Sequence, residues 1–388
     1  MKLLTVSPYF PPHIGGAETY AYHISTGLRQ QHGWDVAVVT TNLDGGKATH
    51  RLEGDIRVYG LPHLFKVSNT PIGLTWFRDI AKIIRVERPD IINAHTPVPI
   101  MADVAAVASG ATPFVLTYHS GSMVKHKFLP DLLIRLYEMT ALKVLFRRAN
   151  TVICTSPITL RNWYPASTSK AVCITPGVLP REFFPDHRVR SPDVLYVGRI
   201  QKSSEWKGIG YLIDAMEVVL SQFPSAKLRL VGPGDDVGRY RVYAEERGIA
   251  RSVLFLGALT GEELVEQYRR ASVLVLPSVT EAESFGMVLI EAMACETPVI
   301  GSAIGGIPYV IEDHVDGLLV EPRNPAAITE AIVDILRNPE RATQMGRNGR
   351  RKVMADFTWD AQVEKTHLVL QKTIADQGHL ASTNSSRP

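Results

Sequence analysis

Short apolar segments rich in β-branched residues alternate with longer helical segments along almost the whole chain. The strand-like segments include KLLTVSP, WDVAVVTT, DIINAHT and PFVLTYHS in the N-terminal half and VLYVGRI, KLRLVGPG, SVLVLPS and TPVIGSA in the C-terminal half. Most of these segments are continuously apolar, which indicates parallel strands that are covered by helices on both faces of a sheet. The alternation therefore predicts a doubly wound α/β fold.

One segment interrupts this alternation. Residues 176–193, PGVLPREFFPDHRVRSPD, are rich in proline and charge and show no periodicity, as is typical of a linker. A chain of 388 residues is also longer than a single core usually supports. We therefore expect two Rossmann-like domains, an N-terminal one over residues 1–185 and a C-terminal one over residues 186–357. Residues 358–377 predict a long helix that packs back on the N-terminal domain, and residues 378–388 predict a disordered tail.

The expected binding site is a cleft between these two domains. Ligands of open α/β sheets bind at the carboxyl ends of the strands, and two facing domains would turn two sets of strand ends toward each other. The residues that directly follow the strands are therefore the candidates for binding and catalysis.

Composition excludes several classes of protein. The net charge of 42 − 39 = +3 is too small to indicate a nucleic-acid-binding protein. The three cysteines include no CxxC pair, which indicates reduced thiols and a cytoplasmic protein. No apolar run approaches the roughly 20 residues that span a bilayer. Any membrane contact is therefore expected to be peripheral, on the inner face of the membrane.

Residues 276–300, LPSVTEAESFGMVLIEAMACETPVI, combine a strand end, a polar turn and the start of a helix. We expect this helix to start between Ser284 and Gly286, with Ser284 as the N-cap. The N–H groups of Phe285, Gly286 and Met287 would then point out of the helix N-terminus, where such groups bind anions. The segment predicts a phosphate site.

Two carboxylates flank this helix start. Glu283 and Glu291 are separated by roughly 12 Å if the segment is helical, so they cannot bind the same atom. They are suited to the two ends of one elongated ligand, a sugar hydroxyl at one end and a ribose at the other. The alternative is that Glu283 only stabilises the helix dipole and that Glu291 is a solvated side chain.

Two cations follow the first strand of the C-terminal half. In YVGRIQKSSEWKG, residues 196–208, Arg199 lies just past the strand and Lys207 just before the next helix. Two cations at a strand end suit a diphosphate. A lysine at a helix N-terminus opposes the helix dipole, which favours function over a purely structural role. Lys202 competes with Lys207 for this position.

Glycines mark two further candidate positions. Gly232, in the segment VGPGDD, permits a close approach of the backbone to a ligand, or it only makes a βα turn. Gly15 and Gly16, in PPHIGGAETY, stand between the first strand and the first helix. They either make a tight turn or bring helix N–H groups close to a negative charge.

Two histidines lie at strand ends in the N-terminal half. His119 ends the segment FVLTYHS, and His95 lies at the end of DIINAHT. A histidine at this place faces the expected binding site. We take His119 as the catalytic candidate and His95 as the second choice, although a lone histidine is more often structural.

Residues 123–148 contain a basic segment. Six cations stand against Asp131 and Glu138, a local balance of 6 − 2 = +4, and the cations are Lys125, Lys127, Arg135, Lys143, Arg147 and Arg148. Interleaved with them are the apolar residues Met123, Phe128, Leu129 and Leu132. Such a surface binds anionic lipid headgroups. The alternative is a half-buried helix with one solvated stripe.

Three of these segments together resemble a known family. ESFGMVLIE has the E-x7-E pattern of retaining GT-B glycosyltransferases, and the run from Pro277 to Val320 is similar to glycosyltransferase family 4. VGRIQKSSEWKG resembles the donor-phosphate segment of that family, with a longer insertion than usual, and PPHIGGAETY resembles its N-terminal glycine loop. The resemblance extends over essentially the whole chain.

The resemblance implies a retaining GT-B enzyme that moves a sugar from a nucleotide diphosphate sugar to a hydroxyl of a sugar- or lipid-linked acceptor, without a metal ion. It places such an enzyme in glycolipid, polysaccharide or glycan synthesis. The implied catalytic residues are His119, Glu283, Arg199 and Lys207. The implied donor-binding residues are Gly15, Gly16, Arg199, Lys207, Gly232, Glu283, Ser284, Phe285, Gly286, Met287 and Glu291.

Two alternatives stay open. A sugar-nucleotide epimerase or dinucleotide-dependent oxidoreductase should carry G-x-G-x-x-G after a strand, whereas PPHIGGAETY lacks that spacing and VGPGDDVGRY matches it in part. A non-catalytic nucleotide-sugar-binding protein should have lost the charged site residues, and all of them are present. The sequence contains no HxxxH motif and no cysteine cluster, so it does not predict a metal site. The sequence leaves open the donor sugar, its base and the acceptor.

Overall fold

The computed structural model describes residues 1–13, 15–42, 44–67, 70–119, 128–163, 170–186 and 188–385. It divides into two compact units, Met1–Pro176 with Trp359–Pro388, and Gly177–Thr358. The boundary therefore lies before Gly177 and not at residue 185, because the chain already packs on the second unit from Val178 onward. The N–H of Val178 donates to the carbonyl oxygen of Phe357 at 2.8 Å, and the carbonyl oxygen of Phe184 accepts from Arg269 Nε at 2.8 Å.

The first unit alternates strands and helices. Its described strands are β1 (Lys2–Val6), β2 (Asp35–Thr41), β3 (Thr49–Glu53), β4 (Ile56–Leu61), β5 (Phe65–Val67), β6 (Thr70–Ile72), β7 (Ile91–Thr96), β8 (Phe114–Tyr118), β9 (Thr151–Cys154) and β10 (Ala171–Cys173). Its first helices are α1 (Gly16–His32), α2 (Trp76–Glu87), α3 (Met101–Ala108), α4 (Phe128–Met139), α5 (Ala141–Arg148) and α6 (Pro157–Trp163).

One sheet forms the centre of this unit, with the strand order β10-β9-β8-β7-β1-β2-β4-β3. Every pairing in it is parallel except that of β3 with β4. The chain adds strands on one side of β1 and then returns to add β7 on the other side, so the order reverses between β1 and β7. All six residues of β7 are buried, as a central strand that is covered on both faces requires.

The second unit repeats this plan. Its strands are β11 (Ser191–Val197), β12 (Leu228–Val231), β13 (Val253–Gly257), β14 (Ala271–Leu276), β15 (Val299–Ser302) and β16 (Leu318–Val320). Its helices are α7 (Ile209–Gln222), α8 (Val237–Glu246), α9 (Gly261–Arg270), α10 (Met287–Ala294), α11 (Ile307–Val310), α12 (Pro325–Arg337) and α13 (Pro339–Asp356), and a 3₁₀ helix spans Lys202–Lys207.

The sheet of the second unit is entirely parallel, in the order β13-β12-β11-β14-β15-β16. Here the order reverses between β11 and β14. Helix α7 shows why the helices cover the sheet, because Ile209, Leu212, Ile213 and Met216 recur at helical spacing and are all buried in the core. The prediction of two Rossmann-like α/β halves is confirmed.

The last helix, α14 (Trp359–Ser385), belongs to the first unit. Its contacts with that unit include a hydrogen bond of 2.9 Å from Trp34 Nε1 to His367 Nδ1 and one of 2.8 Å between the hydroxyls of Thr151 and Thr373. The helix continues to Ser385, where the sequence predicted a disordered tail from residue 378 onward. The single Gly378 costs about 1 kcal/mol relative to alanine, which is not enough to end a helix.

Close packing of α14 on α1 gives a testable prediction. A Cβ placed on Gly27 would lie 2.3 Å from Val363 Cγ2. We expect Gly27→Ala to lower the free energy of unfolding by about 1–3 kcal/mol, because the added methyl overpacks the contact. Adding Val363→Ala to the same chain should recover part of this loss. The measurement is a double-mutant cycle by denaturant unfolding, and strictly additive effects would contradict the proposed contact.

Candidate active site

The carboxyl ends of β11 and β14 form the switch point of the second sheet, which is where open α/β sheets bind their ligands. Gly198 and Arg199 directly follow β11, and Pro277 and Ser278 directly follow β14. The loops leave these two neighbouring strands in opposite directions, because the strand order reverses here. The sequence predictions Arg199, Lys207 and Glu283 all fall in these loops.

Lys207, Glu283 and Ser278 form a hydrogen-bonded group that we call the Lys207 cluster. Lys207 Nζ donates to Glu283 Oε2 at 2.9 Å, and Ser278 Oγ donates to the same oxygen at 3.0 Å. The side chains of Lys207 and Glu283 are only 18% and 10% exposed, so this ion pair is shielded from water. The structure thus brings together the lysine and the first glutamate that the sequence singled out.

Lys202 does not take this position. It begins the 3₁₀ helix, its side chain is exposed, and its backbone N–H donates to Asp235 Oδ1 at 3.1 Å. The 3₁₀ helix is the form that the long QKSSEW insertion adopts. Lys207 at its end is therefore the better candidate for contact with a ligand.

Backbone contact fixes the place of Lys207. Gly208 has φ 73°, and a Cβ on it would lie 2.0 Å from the carbonyl oxygen of Pro277. Next to it, the N–H of Val279 donates to the carbonyl oxygen of Trp206 at 2.8 Å. The chain before α7 therefore lies directly against the chain after β14, and only glycine fits at position 208.

A second pair of glycines supports Glu283. Cβ atoms on Gly305 and Gly306 would lie 2.1 Å and 1.9 Å from the carbonyl oxygens of Glu283 and Ser284. The N–H of Gly306 donates to the carbonyl oxygen of Glu283 at 2.9 Å. Neither glycine was predicted from the sequence, although a Gly-Gly pair after a strand-like segment is a visible signal.

The start of α10 differs from the expectation. Gly286 is the N-cap, with φ 86°, and the helix begins at Met287. The prediction of Ser284 as the N-cap was wrong, because the chain enters this helix through a left-handed residue, a conformation that favours glycine. Phe285 is buried instead, in edge-to-face contact with Phe357. The first helical N–H group is thus that of Met287, and those of Phe285 and Gly286 precede the helix.

Glu291 lies one turn into α10 and has its own partner. Its Oε2 accepts a hydrogen bond of 2.5 Å from the hydroxyl of Tyr268, which is fully buried. Burial raises the pKa of the Glu291 carboxyl, and the hydrogen bond from Tyr268 partly offsets this. Because the chain from Glu283 to Gly286 is not helical, the helical separation assumed from the sequence does not apply. Tyr268 orients the carboxylate and was missed from the sequence.

Gly232 is required by the fold itself. It has φ 143°, and a Cβ there would lie 1.9 Å from the carbonyl oxygen of Gly198. The N–H of Gly198 donates to the carbonyl oxygen of Val231 at 2.9 Å. The loops after β11 and β12 are thus in backbone contact, which supports the βα-turn interpretation of this glycine. The exposed side chain of Arg199 follows directly on Gly198.

In the first unit the structure pairs the two histidines. His95 Nδ1 and His119 Nε2 are 2.9 Å apart, and the rings are stacked at 5.2 Å. The ring of Tyr20 meets that of His119 edge to face at 5.1 Å. Burial lowers the pKa of His119 to about 3 and that of His95 well below its usual value. Both rings are therefore neutral at physiological pH.

Two predictions remain for the first unit, the glycine pair at the start of α1 and the basic segment of residues 123–148. Gly15 is the N-cap of α1 and Gly16 its exposed first residue, so the pair does open a helix. Lys125 and Lys127 lie outside the described residues. Arg148 has a structural role, because its guanidinium donates to the carbonyl oxygen of Gly110 and to Ser109 Oγ, each at 2.7 Å.

The surface of α4 and α5 carries large exposed apolar side chains, Leu132, Leu136, Met139 and Val144. None of the helices in the described ranges has the length and apolar character needed to cross a membrane. In the same ranges, no three histidine, cysteine, aspartate or glutamate side chains come together as they would to hold a metal ion.

Comparison with known proteins agrees with this architecture. The model described as "Glycosyltransferase Family 4" matches residues 14–180, and "Glycosyl transferases group 1" matches residues 181–352. Together they cover both units, and the protein is a glycosyltransferase of the GT-B fold. The alternatives of an epimerase, an oxidoreductase or a non-catalytic binding protein are therefore set aside.

Its relatives include O-antigen chain mannosyltransferase C of Escherichia coli, which is 28% identical over 381 residues and covers 94% of this chain and 96% of that one. Sucrose-phosphate synthase of Thermosynechococcus elongatus is similar in structure, with a TM-score of 0.77, 25% identity and coverage of 97% and 99% of the two chains. Anabaena HepE shares the fold, with a TM-score of 0.75, 20% identity and coverage of 96% and 100%.

The backbone contact at Gly208 leads to a prediction with an internal control. Gly208→Ala should lower the free energy of unfolding by about 2 kcal/mol or more, because alanine strains the left-handed backbone and meets the carbonyl group of Pro277. Gly210→Ala, two residues later in α7, has open space around its Cβ and should be neutral or stabilising by up to about 1 kcal/mol. Calorimetric unfolding compares the two, and equal effects would contradict the assignment.

Proposed function

We propose that this glycosyltransferase takes its sugar from a nucleotide diphosphate sugar bound at the Lys207 cluster and transfers it with retention of the anomeric configuration. The observation that carries the proposal is the shielded Lys207–Glu283 pair at the switch point of the second sheet. Anabaena HepE, which shares the fold, has been crystallised with UDP-glucose. That supports a nucleotide sugar as the donor class.

The charges suit a leaving diphosphate. As the bond between the anomeric carbon and the phosphate oxygen breaks, negative charge builds up on the diphosphate, and fixed cations stabilise it most in a shielded site. Lys207 is held in place by Glu283, and Arg199 lies in the same connection, directly after β11. We assign these two cations to the diphosphate, in the role that a metal ion has in other enzymes, so the proposed reaction needs no metal.

The two carboxylates suit hydroxyl groups. Glu283 uses Oε2 for Lys207 and Ser278, and we assign its other oxygen to a hydroxyl of the sugar. Glu291 uses Oε2 for Tyr268, and we assign its other oxygen to the ribose. Phe285, Gly286 and Met287 remain candidates for phosphate contact through their N–H groups, as do Gly15 and Gly16 at the start of α1.

We propose retention because the sequence resembles retaining GT-B enzymes, and the environment of Glu283 is compatible with a retaining route that has no covalent intermediate. A carboxylate that is paired with Lys207 and Ser278 is a poor nucleophile, which disfavours a covalent glycosyl intermediate on this residue. In the proposed route the acceptor oxygen forms its bond to the anomeric carbon on the face that the diphosphate leaves. The hydroxyl proton passes to the departing phosphate oxygen, so no separate base is needed.

Lys207 and Lys202 provide a matched test. We expect Lys207→Met to lower the rate of sugar transfer roughly 100-fold or more, because a partly shielded cation opposite the developing charge is lost. Lys202→Met, which removes an exposed charge on the same 3₁₀ helix, should stay within about twofold. The assay follows release of the nucleotide diphosphate from UDP-, GDP- and ADP-sugars, with water or a cell extract as the acceptor, in the presence and absence of EDTA.

Three outcomes would contradict the proposal. Equal activities of the two lysine variants would remove Lys207 from the site. Loss of activity with EDTA would refute the metal-independent route. Inversion of the anomeric centre, read by NMR of the product, would refute retention.

We further propose that α4 and α5 contact the inner face of the membrane, where a lipid-linked acceptor would lie. Leu132, Leu136, Met139 and Val144 are each more than half exposed on these two consecutive helices. Beside them Arg135, Lys143 and Arg147 are exposed. Apolar side chains flanked by cations bind anionic lipid surfaces. The proposal fits a cytoplasmic protein that binds the membrane peripherally.

Vesicle binding tests this surface. The double variant Leu136→Ser/Met139→Ser should bind vesicles that contain anionic lipid roughly tenfold or more weakly than the wild type, because two apolar side chains no longer enter the interface. Val218→Ser/Val242→Ser, which changes exposed apolar residues of the second unit, is the control and should bind as the wild type does. Co-sedimentation is the measurement, and binding to neutral vesicles that equals binding to anionic ones would contradict the role of the cations.

A further inference from the structure

Four polar side chains form a continuous row of hydrogen bonds on β7 and β8, which we call the histidine relay. It runs from Thr117 to Asn93, to His95 and to His119. Thr117 Oγ1 donates to Asn93 Oδ1 at 2.8 Å, Asn93 Nδ2 lies 3.4 Å from His95 Nε2, and His95 Nδ1 lies 2.9 Å from His119 Nε2. Thr117, Asn93 and His95 are at most 2% exposed. Water therefore cannot replace these hydrogen bonds.

The buried hydroxyl of Thr117 sets the direction of the relay. Its hydrogen needs an acceptor, and the acceptor that the described residues provide is Asn93 Oδ1. The amide nitrogen of Asn93 must then face His95, where it can only donate. In the opposite orientation the amide would donate to Thr117 and leave the hydroxyl hydrogen without an acceptor in the interior, which is unfavourable.

This direction determines where each imidazole carries its proton. His95 accepts at Nε2, so a neutral His95 has its proton on Nδ1 and donates to His119 Nε2. His119 in turn accepts at Nε2, so a neutral His119 also has its proton on Nδ1. The low pKa values of both rings agree with neutral imidazoles. No hydrogen-bond partner of His119 Nδ1 appears among the described residues.

We propose that Asn93 and His95 are positioning residues that hold His119 as the neutral Nδ1–H tautomer, so that His119 presents a hydrogen-bond donor at the carboxyl end of β8. This proposal extends the proposed function. It rests on that function only for the identity of the ligand. A neutral N–H donor suits a sugar hydroxyl or a phosphate oxygen of a nucleotide sugar. It excludes His119 Nδ1 as a general base, because that atom already carries a proton.

The tautomer itself can be measured without any activity assay. In protein labelled with ¹⁵N-histidine, two-bond ¹H–¹⁵N correlation spectra distinguish a protonated ring nitrogen from a bare one. We expect His119 and His95 each to show a protonated Nδ1 and a bare Nε2, whereas free neutral histidine in water favours Nε2–H. A protonated Nε2 on His119, or a doubly protonated ring at pH 7, would overturn the proposal. This result does not depend on whether the ligand is a nucleotide sugar.

The variant Thr117→Val tests whether the hydroxyl of Thr117 determines the orientation of the Asn93 amide. Thr117→Val keeps the shape of the side chain and removes the donor, so Asn93 becomes free to rotate and His119 should change to a mixture of tautomers. Thr155→Val is the control, because Thr155 is buried after β9 and donates to the carbonyl oxygen of Tyr118 at 3.3 Å, outside the relay. An unchanged His119 spectrum in Thr117→Val would refute the role of Thr117 and Asn93.

Kinetic measurements on variants of His95 test whether the histidine relay contributes to sugar transfer. In His95→Asn the amide nitrogen lies near the position of Nδ1 and can still donate to His119, whereas His95→Leu leaves His119 Nε2 without a donor. We expect His95→Leu to lower kcat roughly tenfold with a smaller effect on KM, and His95→Asn to recover most of the rate. Equal losses in the two variants would assign His95 a merely structural role. If the spectra agree and the kinetics show no effect in either variant, the tautomer stands and the contact of His119 with a nucleotide sugar is refuted.

Discussion

Direct contact between backbones positions the loops of the second unit. Gly208 meets Pro277, Gly232 meets Gly198, and Gly305 and Gly306 meet the turn that carries Glu283. At each point a β-carbon would occupy the place of a carbonyl group, so no side chain can separate the two segments. The Lys207 cluster depends on this arrangement, because the lysine and the glutamate belong to different loops that are far apart in sequence. Their geometry is set by the main chain and not by the flexibility of the lysine.

The two units differ in their electrostatics at the carboxyl ends of their strands. The second unit has the Lys207–Glu283 ion pair and the carboxyl group of Glu291 near its switch point, which suits a ligand with charge and hydroxyl groups. The first unit has neutral imidazoles in a buried row, where burial lowers the pKa of His119 to about 3. A neutral donor keeps its strength over the physiological pH range, whereas an imidazole of ordinary pKa would change its charge there.

The sequence predicted those features that depend on local patterns. Continuously apolar strands predicted the parallel sheets. Residues that directly follow strands, such as Arg199 and His119, and Lys207 just before a helix could be selected one by one. What it missed depends on long-range partners or on backbone shape. Ser284 satisfied the composition rule for an N-cap, but the left-handed turn at Gly286 decided where the helix begins. Tyr268, Asn93 and Thr117 were missed because their partners lie on other elements, and burial decides their roles. The domain boundary moved to Gly177 for the same reason, since Phe184 already packs on the second unit.

The path of the chain has a consequence for synthesis. The second unit is a single insertion within the first, and its two ends meet, because Val178 pairs with Thr358. On the ribosome this insertion is complete before α14 has been made. The second unit therefore has all its parts while the first still lacks the helix that covers α1. Until α14 has been made, the face of α1 that it covers stays exposed, so the first unit completes its packing only after the second unit has been synthesised.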